Sequence, residues 1–350
     1  MSIVAALVFT IVTVTATAVG PPVPPSPTPT RAPRPVADER ERPRPDMYYI
    51  WLDGSRLAAG ENPYAGILTG NMRENRKYPT YLPLFYILVA GTHGLGVTEY
   101  ETWLWLWRPL VIASQVGIAV LLFVVCRRAG HPVLGVFAAL FWSLNRWTLF
   151  VVKVNHVDFL PILCLLSSMV LFETRRRTSL LLLGLSLALK QIAVLVTPLY
   201  LIWTWRRASD PGARLRETAG AAGWIVLVPG LLSLPFLVWN AEAFVRSILF
   251  SATRDANAHV RALSFDALLG LTGLAARLPM LLLVALVLVA AARGEIGRYL
   301  AVVLVFATFL DFNTVFFLQY MTWIVPFLVL AVLDRRPRPA QSVGDTSPPP

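Results

Sequence analysis

Apolar stretches long enough to cross a bilayer recur from one end of this chain to the other, separated by short segments rich in Arg and Pro. A helix of ~20 apolar residues spans the hydrocarbon core. Lipid offers no partner to exposed backbone N–H and C=O groups, so the chain must fold as a bundle of helices. At 56% hydrophobic and 15% charged, its 350 residues carry more apolar surface than a soluble core needs and leave almost no room for a separate soluble domain. The net charge of +11, from 31 Lys and Arg, would suit a nucleic-acid partner if it formed one surface. It lies instead in short clusters between apolar runs, where membrane topology explains it and no nucleic acid is expected. Cys126 and Cys164 both fall inside apolar runs, without metal or redox spacing, and are read as packing residues.

Residues 1–20 read as an anchor helix or, given Ala16-Thr17-Ala18 and no basic start, as a cleaved signal. Residues 21–45 are a Pro-rich outer linker, 46–333 the transmembrane domain, and 334–350 a basic, disordered cytoplasmic tail. Short cytoplasmic loops carry excess Lys and Arg. Five clusters mark the inside: Arg127-Arg128, Arg175 to Arg177, Arg206 to Arg216, Arg293 with Arg298, and Arg335-Arg336 with Arg338. The runs between them pair: 132–150 goes out and 157–172 returns, 219–239 and 278–292 do the same, as do 298–311 and 315–333. The run 178–205 is too long for one untilted span and splits at Lys190. The short run 81–95, bounded by Pro79, Pro83 and His93, reads as an interfacial helix, and 105–126 is the crossing helix, entered through Trp103, Trp105 and Trp107. The expected fold is all-α: a polytopic transmembrane bundle of about ten helices in the plasma (inner) membrane, with interfacial helices in the first outer loop.

On this topology the outer surface collects most of the polar residues that loops do not explain. Charges at membrane depth are costly and mark a water-filled cavity or a paired partner, although a single one can snorkel to the interface. Asp46, Tyr49 and Asp53 share one face of a helix at i, i+3 and i+7. A carboxylate near the bilayer, desolvated, suits a general base. Asn155-His156-Val157-Asp158 stands at the mouth of a span, where His156 and Asp158 could bond each other, ligate a metal or touch a phosphate; two residues do not make a metal site. Lys190 needs an anion, either a bound phosphate or a structural partner such as Asp158 or Asp311. Gln319 and Tyr320 bracket the last outer turn with Asp311 and Asn313, and either cap helices or hydrogen-bond a sugar. The 240–277 segment holds Arg246, Arg254, Asp255, His259 and Arg261, suited to headgroups or an anionic acceptor.

Taken in order, Asp46, Gly60-Glu61-Asn62-Pro63-Tyr64, Tyr78-Pro79 through Pro83-Leu84-Phe85-Tyr86, NHVDFLPILCLL, GLSLALKQ and QYMTWIVPF resemble the motifs of the class C (GT-C) membrane glycosyltransferases that use polyprenyl-phosphate sugars, especially the mannosyltransferase-like group. The resemblance covers about residues 46–333. It implies an inverting transfer of a mannose-like hexose from a polyprenyl-phosphate donor to a lipid or glycan acceptor on the outer face, without a cofactor. It implies Asp46 as the base with Asp53 in reserve, Lys190 and His156 on the donor phosphate, and Asp158, Tyr49, Gln319 and Tyr320 on substrate. The Pro-rich segment 21–45 and the compact length depart from the family pattern. A transporter or flippase would instead spread charge through the depth and show repeat symmetry, and an assembly subunit would make the outer acids dispensable. Among soluble-enzyme signatures, no phosphate-cradling Gly-rich loop, catalytic Ser or Cys arrangement, or dinucleotide fingerprint is present in the sequence.

Overall fold

A computed structural model of the chain describes residues 45–70, 77–253, 273–313 and 317–334, with scattered positions in 5–13 and at 269 and 271. The outer linker, the tail after Asp334, most of the first run, and Arg254, Asp255, His259 and Arg261 lie outside the described residues. The described residues are helical, with no strand among them. In chain order the α-helices of seven or more residues are α1 (Asp46–Ala58), α2 (Leu84–Gly94), α3 (Tyr100–Arg128), α4 (Pro132–Leu144), α5 (Arg146–Lys153), α6 (Phe159–Leu171), α7 (Arg176–Leu189), α8 (Thr197–Arg207), α9 (Pro211–Thr253), α10 (Gly273–Arg293), α11 (Arg298–Phe312) and α12 (Val325–Ala331).

Among the described residues three helices are long and apolar enough to cross a membrane: Tyr100–Arg128, Pro211–Phe250 and Ala275–Arg293; the bent pair α4 and α5 makes a fourth if counted as one span. The run 132–150, expected as one helix, breaks at Asn145 with a 46° bend. The physical reason is local: the Asn145 side chain accepts from the backbone N–H groups of Trp147 and Thr148, 3.0 Å each, and starts a new helix as its N-cap. The expected split at Lys190 is present: α7 ends there in an extended conformation (φ −154°, ψ 120°) and a 3-10 turn over Gln191–Val196 leads into α8. The loop expected from 240 onward is helical as far as Thr253, kinked at Asn240 (φ −161°, ψ 96°). The last return, expected over 315–333, begins as a 3-10 turn, Leu318–Trp323, before α12. At 11 residues α2 is about 16 Å long, too short to cross alone, and it packs along α1. Trp103 and Trp107 are buried and stacked on each other, 5.5 Å between centroids, so of the three expected headgroup tryptophans only Trp105 faces outward.

Between helices in lipid the hydrophobic effect gives little drive, so close packing and interhelical hydrogen bonds must hold them. Glycine supplies the close approaches. A methyl on Gly54 of α1 would meet Val89 Cβ of α2 at 2.3 Å, one on Gly135 of α4 the Phe123 carbonyl of α3 at 2.9 Å, and one on Gly184 of α7 the Ile225 carbonyl of α9 at 2.4 Å. Polar rungs reinforce them: Trp142 Nε1 donates to the Gln115 carbonyl (3.0 Å) and Gln115 Nε2 to the Ser143 carbonyl (3.1 Å), joining α3 to α4. Ser168 bridges to the Ser179 carbonyl (2.6 Å) and the Tyr200 hydroxyl (2.8 Å), joining α6, α7 and α8. By contrast α9 and α10 expose Leu231, Val238, Leu282 and Leu286. Single exposed apolar side chains are ordinary in water, but continuous apolar faces on spanning helices are what lipid covers.

The helices also sort charge. The α6–α7 hairpin runs from Asp158 down α6 to Glu173 and back up α7 from Arg176 to Lys190, about 20 Å each way. At its Glu173 end the arginine clusters meet: Glu173 pairs with Arg207 and with Arg298 (2.8 Å), Arg176 with Glu217 (2.8 Å), and Arg206 donates to the Ala291 carbonyl at the end of α10 (3.1 Å). Its other end holds Asp158 and Lys190.

Because the atom met at Gly184 is backbone, Gly184→Ala should cost about 1–3 kcal/mol and lower the thermal midpoint in detergent. Gly220→Ala, on α9 with open space around it, should leave the midpoint unchanged or raise it. An unshifted midpoint for Gly184→Ala would contradict this packing of α7 on α9.

Candidate functional site

At the end of the bundle away from the arginine clusters, ionisable side chains form one array reaching from a half-exposed mouth to a closed interior. Its deepest part is Asp158, fully buried at the N-terminus of α6. Asp158 Oδ1 accepts from Lys190 Nζ at 2.5 Å and from Trp323 Nε1 at 2.7 Å. Oδ2 faces His156 Nδ1. The other ring nitrogen of His156, Nε2, lies 3.6 Å from Asp46 Oδ2, and Asp46 Oδ1 is in contact with Lys77 Nζ. Exposure falls along the array, from 45% for the Lys77 side chain through 28% for Asp46 to 5% for His156 and none for Asp158.

Local sequence explains each placement. Asn155 takes the left-handed conformation (φ 54°), which Asn tolerates better than most residues, and its Nδ2 donates to the Leu104 carbonyl of α3 (2.9 Å); the turn delivers His156 and Asp158 to the same side. Lys190 arrives because α7 stops at it. Irregular backbone within a membrane domain survives only where protein or water satisfies it, and here Gln191 Nε2 donates to the Thr80 carbonyl beside the break. The rings of Tyr320, Tyr81 and Trp323 stand 5.6, 5.7 and 5.8 Å from Lys190 Nζ, an aromatic enclosure that suits a desolvated ammonium. Burial and the Asp158 charge push the Tyr81 hydroxyl above its ordinary value, so it stays a neutral phenol. Asp46 opens α1, where a carboxylate also complements the helix dipole.

The structure therefore brings together Asp46, His156, Asp158, Lys190 and Tyr320 of the expected residues. Tyr49 is buried beside them, its ring 5.6 Å from Lys77 Nζ. Gln319 is buried in the turn that carries Tyr320, its carbonyl accepting from the Thr322 hydroxyl at 2.6 Å. Asp53 sits elsewhere, two turns and about 10 Å along α1, only 2% exposed and 3.6 Å from Arg56. Its charge acts on Tyr64, whose hydroxyl is pushed well above its ordinary value chiefly by burial and donates to the Tyr81 carbonyl (2.9 Å). Of the anions considered for Lys190, Asp158 is the one it meets, and Asp311 is exposed at the end of α11. Three residues went unnoticed in the sequence as members of this site: Lys77, Tyr81 and Trp323. A signal was there for the first. The chain has only three lysines, Lys77, Lys153 and Lys190, against 31 Lys and Arg together, and all three fall at this end.

A general base at the mouth, backed by buried groups that fix its partner, can take a proton from a hydroxyl; the cations around it can hold an anion. Among the described residues no group of three His, Cys, Asp or Glu is disposed to bind a metal ion. No protein-family model matches the chain, and no curated protein or solved structure matches it.

Breaking a buried pair strands the remaining charges, so Asp158→Asn should destabilise the protein by about 3–5 kcal/mol in detergent melts. Adding Lys190→Met to that variant should recover part of the loss, because the stranded ammonium is gone. Glu173→Gln, at an exposed pair, should cost below about 1 kcal/mol. A loss for Asp158→Asn no larger than for Glu173→Gln would contradict the buried array.

Proposed function

We propose that the protein is an inverting membrane glycosyltransferase that moves a mannose-like hexose from a polyprenyl-phosphate donor to a lipid or glycan acceptor. The observation that carries this reading is the Asp46–His156–Asp158–Lys190 array: a carboxylate open to the mouth of a helical membrane domain, adjoining buried ionisable groups. The ordered motifs of the GT-C resemblance give the same residues the same positions around the chemistry. The bundle of about ten spans and the placement of this end outside the plasma membrane belong to the same proposal, on the strength of the arginine clusters gathered at the opposite end.

In the reaction Asp46 takes the proton of an acceptor hydroxyl. The oxygen attacks the anomeric carbon from the face opposite the lipid phosphate, the bond from that carbon to the phosphate oxygen breaks, and the polyprenyl phosphate leaves with the bonding electrons. His156 lies between the two carboxylates, its Nε2 3.6 Å from Asp46 and its Nδ1 facing Asp158, placed to take up a proton from Asp46. Lys190, spent on Asp158 and enclosed by rings, acts as the buried counterion that keeps Asp158 ionised, rather than as the first cation a donor meets. Asp53, buried beside Arg56, is set aside as a base. A transporter is the less favoured reading because the array occupies one end of the α6–α7 hairpin rather than its length.

The test is transfer of radiolabelled sugar from polyprenyl-phosphate-mannose to membrane acceptors by purified protein and its Asp46→Asn variant at matched folded yield. The wild type should transfer and the variant should lose about 10²–10⁴-fold. An active Asp46→Asn variant would remove Asp46 as base, and no transfer by either protein across several sugars would end the enzyme reading.

A further inference from the structure

Lys77 has no role in the reading above, yet it is the most exposed charge of the array and lies on the proposed base itself. Its ammonium contacts Asp46 Oδ1 and stands over the Tyr49 ring at 5.6 Å. Apart from His156, the array sets two lysines against two aspartates. The donor phosphate, esterified to both lipid and sugar, would bring about one negative charge beside Asp46, and like charges a few ångströms apart repel. Some cation must turn toward it. Lys190 is 6% exposed, already bonded to Asp158 and closed in by Tyr81, Tyr320 and Trp323. Lys77 carries its charge on a four-carbon stem and is 45% exposed, so it can swing without leaving a buried charge unpaired.

We propose that Lys77 is shared between Asp46 and the substrate: it is parked on Asp46 when the site is empty, and the donor's phosphodiester at the mouth draws it away, freeing the carboxylate to act as base. This rests on the glycosyltransferase reading, and it adds an order of events. Donor binding unlocks the base, so an acceptor arriving first meets an Asp46 held in an ion pair. Lys77 is thus a positioning residue for Asp46 and a ligand for the phosphate at once. Because one ammonium serves two anions, the two compete, and competition of this kind is reciprocal: what weakens one partner's hold strengthens the other's.

The experiment measures equilibrium binding of decaprenyl phosphate, the leaving group that carries the donor's lipid and phosphate, to the full-length protein in detergent by microscale thermophoresis, with decaprenol and inorganic phosphate as comparison ligands. Wild type should bind decaprenyl phosphate more tightly than decaprenol. Lys77→Met should weaken that binding by about tenfold and Lys77→Arg should restore most of it. Asp46→Asn, by removing the competitor, should tighten binding by about fivefold, and the same substitution in the Lys77→Met background should tighten it by clearly less, since only direct repulsion is then relieved. Phosphate-dependent binding that is unchanged in both single variants would overturn the role of Lys77 and leave the glycosyltransferase reading standing. Equal affinity for decaprenyl phosphate and decaprenol would overturn both, since no phosphate would be recognised. Inorganic phosphate that displaces decaprenyl phosphate at comparable concentration, with the same pattern across the variants, would support Lys77 as the shared cation and contradict a lipid donor as the source of the anion.

Discussion

A charged lysine can lie inside an apolar helical bundle only if something ionised lies there with it, and here that is the carboxylate of Asp158. An unpaired charge removed from water costs many kcal/mol, and a pair recovers that cost only with good geometry and satisfied hydrogen bonds. Asp158 meets those terms by using both oxygens: one serves Lys190 and Trp323, the other faces His156. The residues it binds come from the start of α6, from the break after α7 and from the turn before α12, so a single carboxylate ties three otherwise separate parts of the chain at one point. The broken helices follow from the same requirement. An unbroken helix through 178–205 would leave Lys190 on a helical wall, whereas the extended residue at the break frees it to reach Asp158.

The same economy separates the two ends of the molecule. The arginine clusters, which pair through planar guanidinium contacts, meet at the Glu173 end on exposed acids and on the Ala291 carbonyl of α10. Lysines, compact point charges, are kept for the other end, where an ammonium can be caged by rings or moved between anions. Between the ends, glycines at positions 54, 135 and 184 let helices approach to backbone contact, which sets the spacing on which the array depends.

Much of this was legible in the sequence, for physical reasons. Charge inside apolar runs is rare enough that each instance marks a pairing or a site, which is why Asp46, His156, Asp158 and Lys190 could be picked out before their geometry was known. The all-helical class and the break at Lys190 followed from hydropathy and length. What remained hidden depended on direction rather than identity. Asp46 and Asp53 share a helical face by spacing, yet only contacts made by α2 and the 62–64 turn decide that one opens to the mouth while the other is enclosed near Tyr64. Trp103 and Trp107 have the composition of a headgroup belt and are instead core. The Asn145 cap and the helical stretch after Asn240 are local side-chain events that apolar-run counting averages away. Trp323 could not be assigned to Asp158 because 165 residues separate them.

The most direct measurement is an experimental density map of the full chain in a lipid nanodisc, carried by a bound antibody fragment and saturated with decaprenyl phosphate. The account predicts phosphate density at the Asp46 end, within hydrogen-bonding reach of Lys77, with Lys190 still on Asp158. Phosphate bound among the arginines at the Glu173 end, or a Lys190 that leaves Asp158 to meet it, would contradict it.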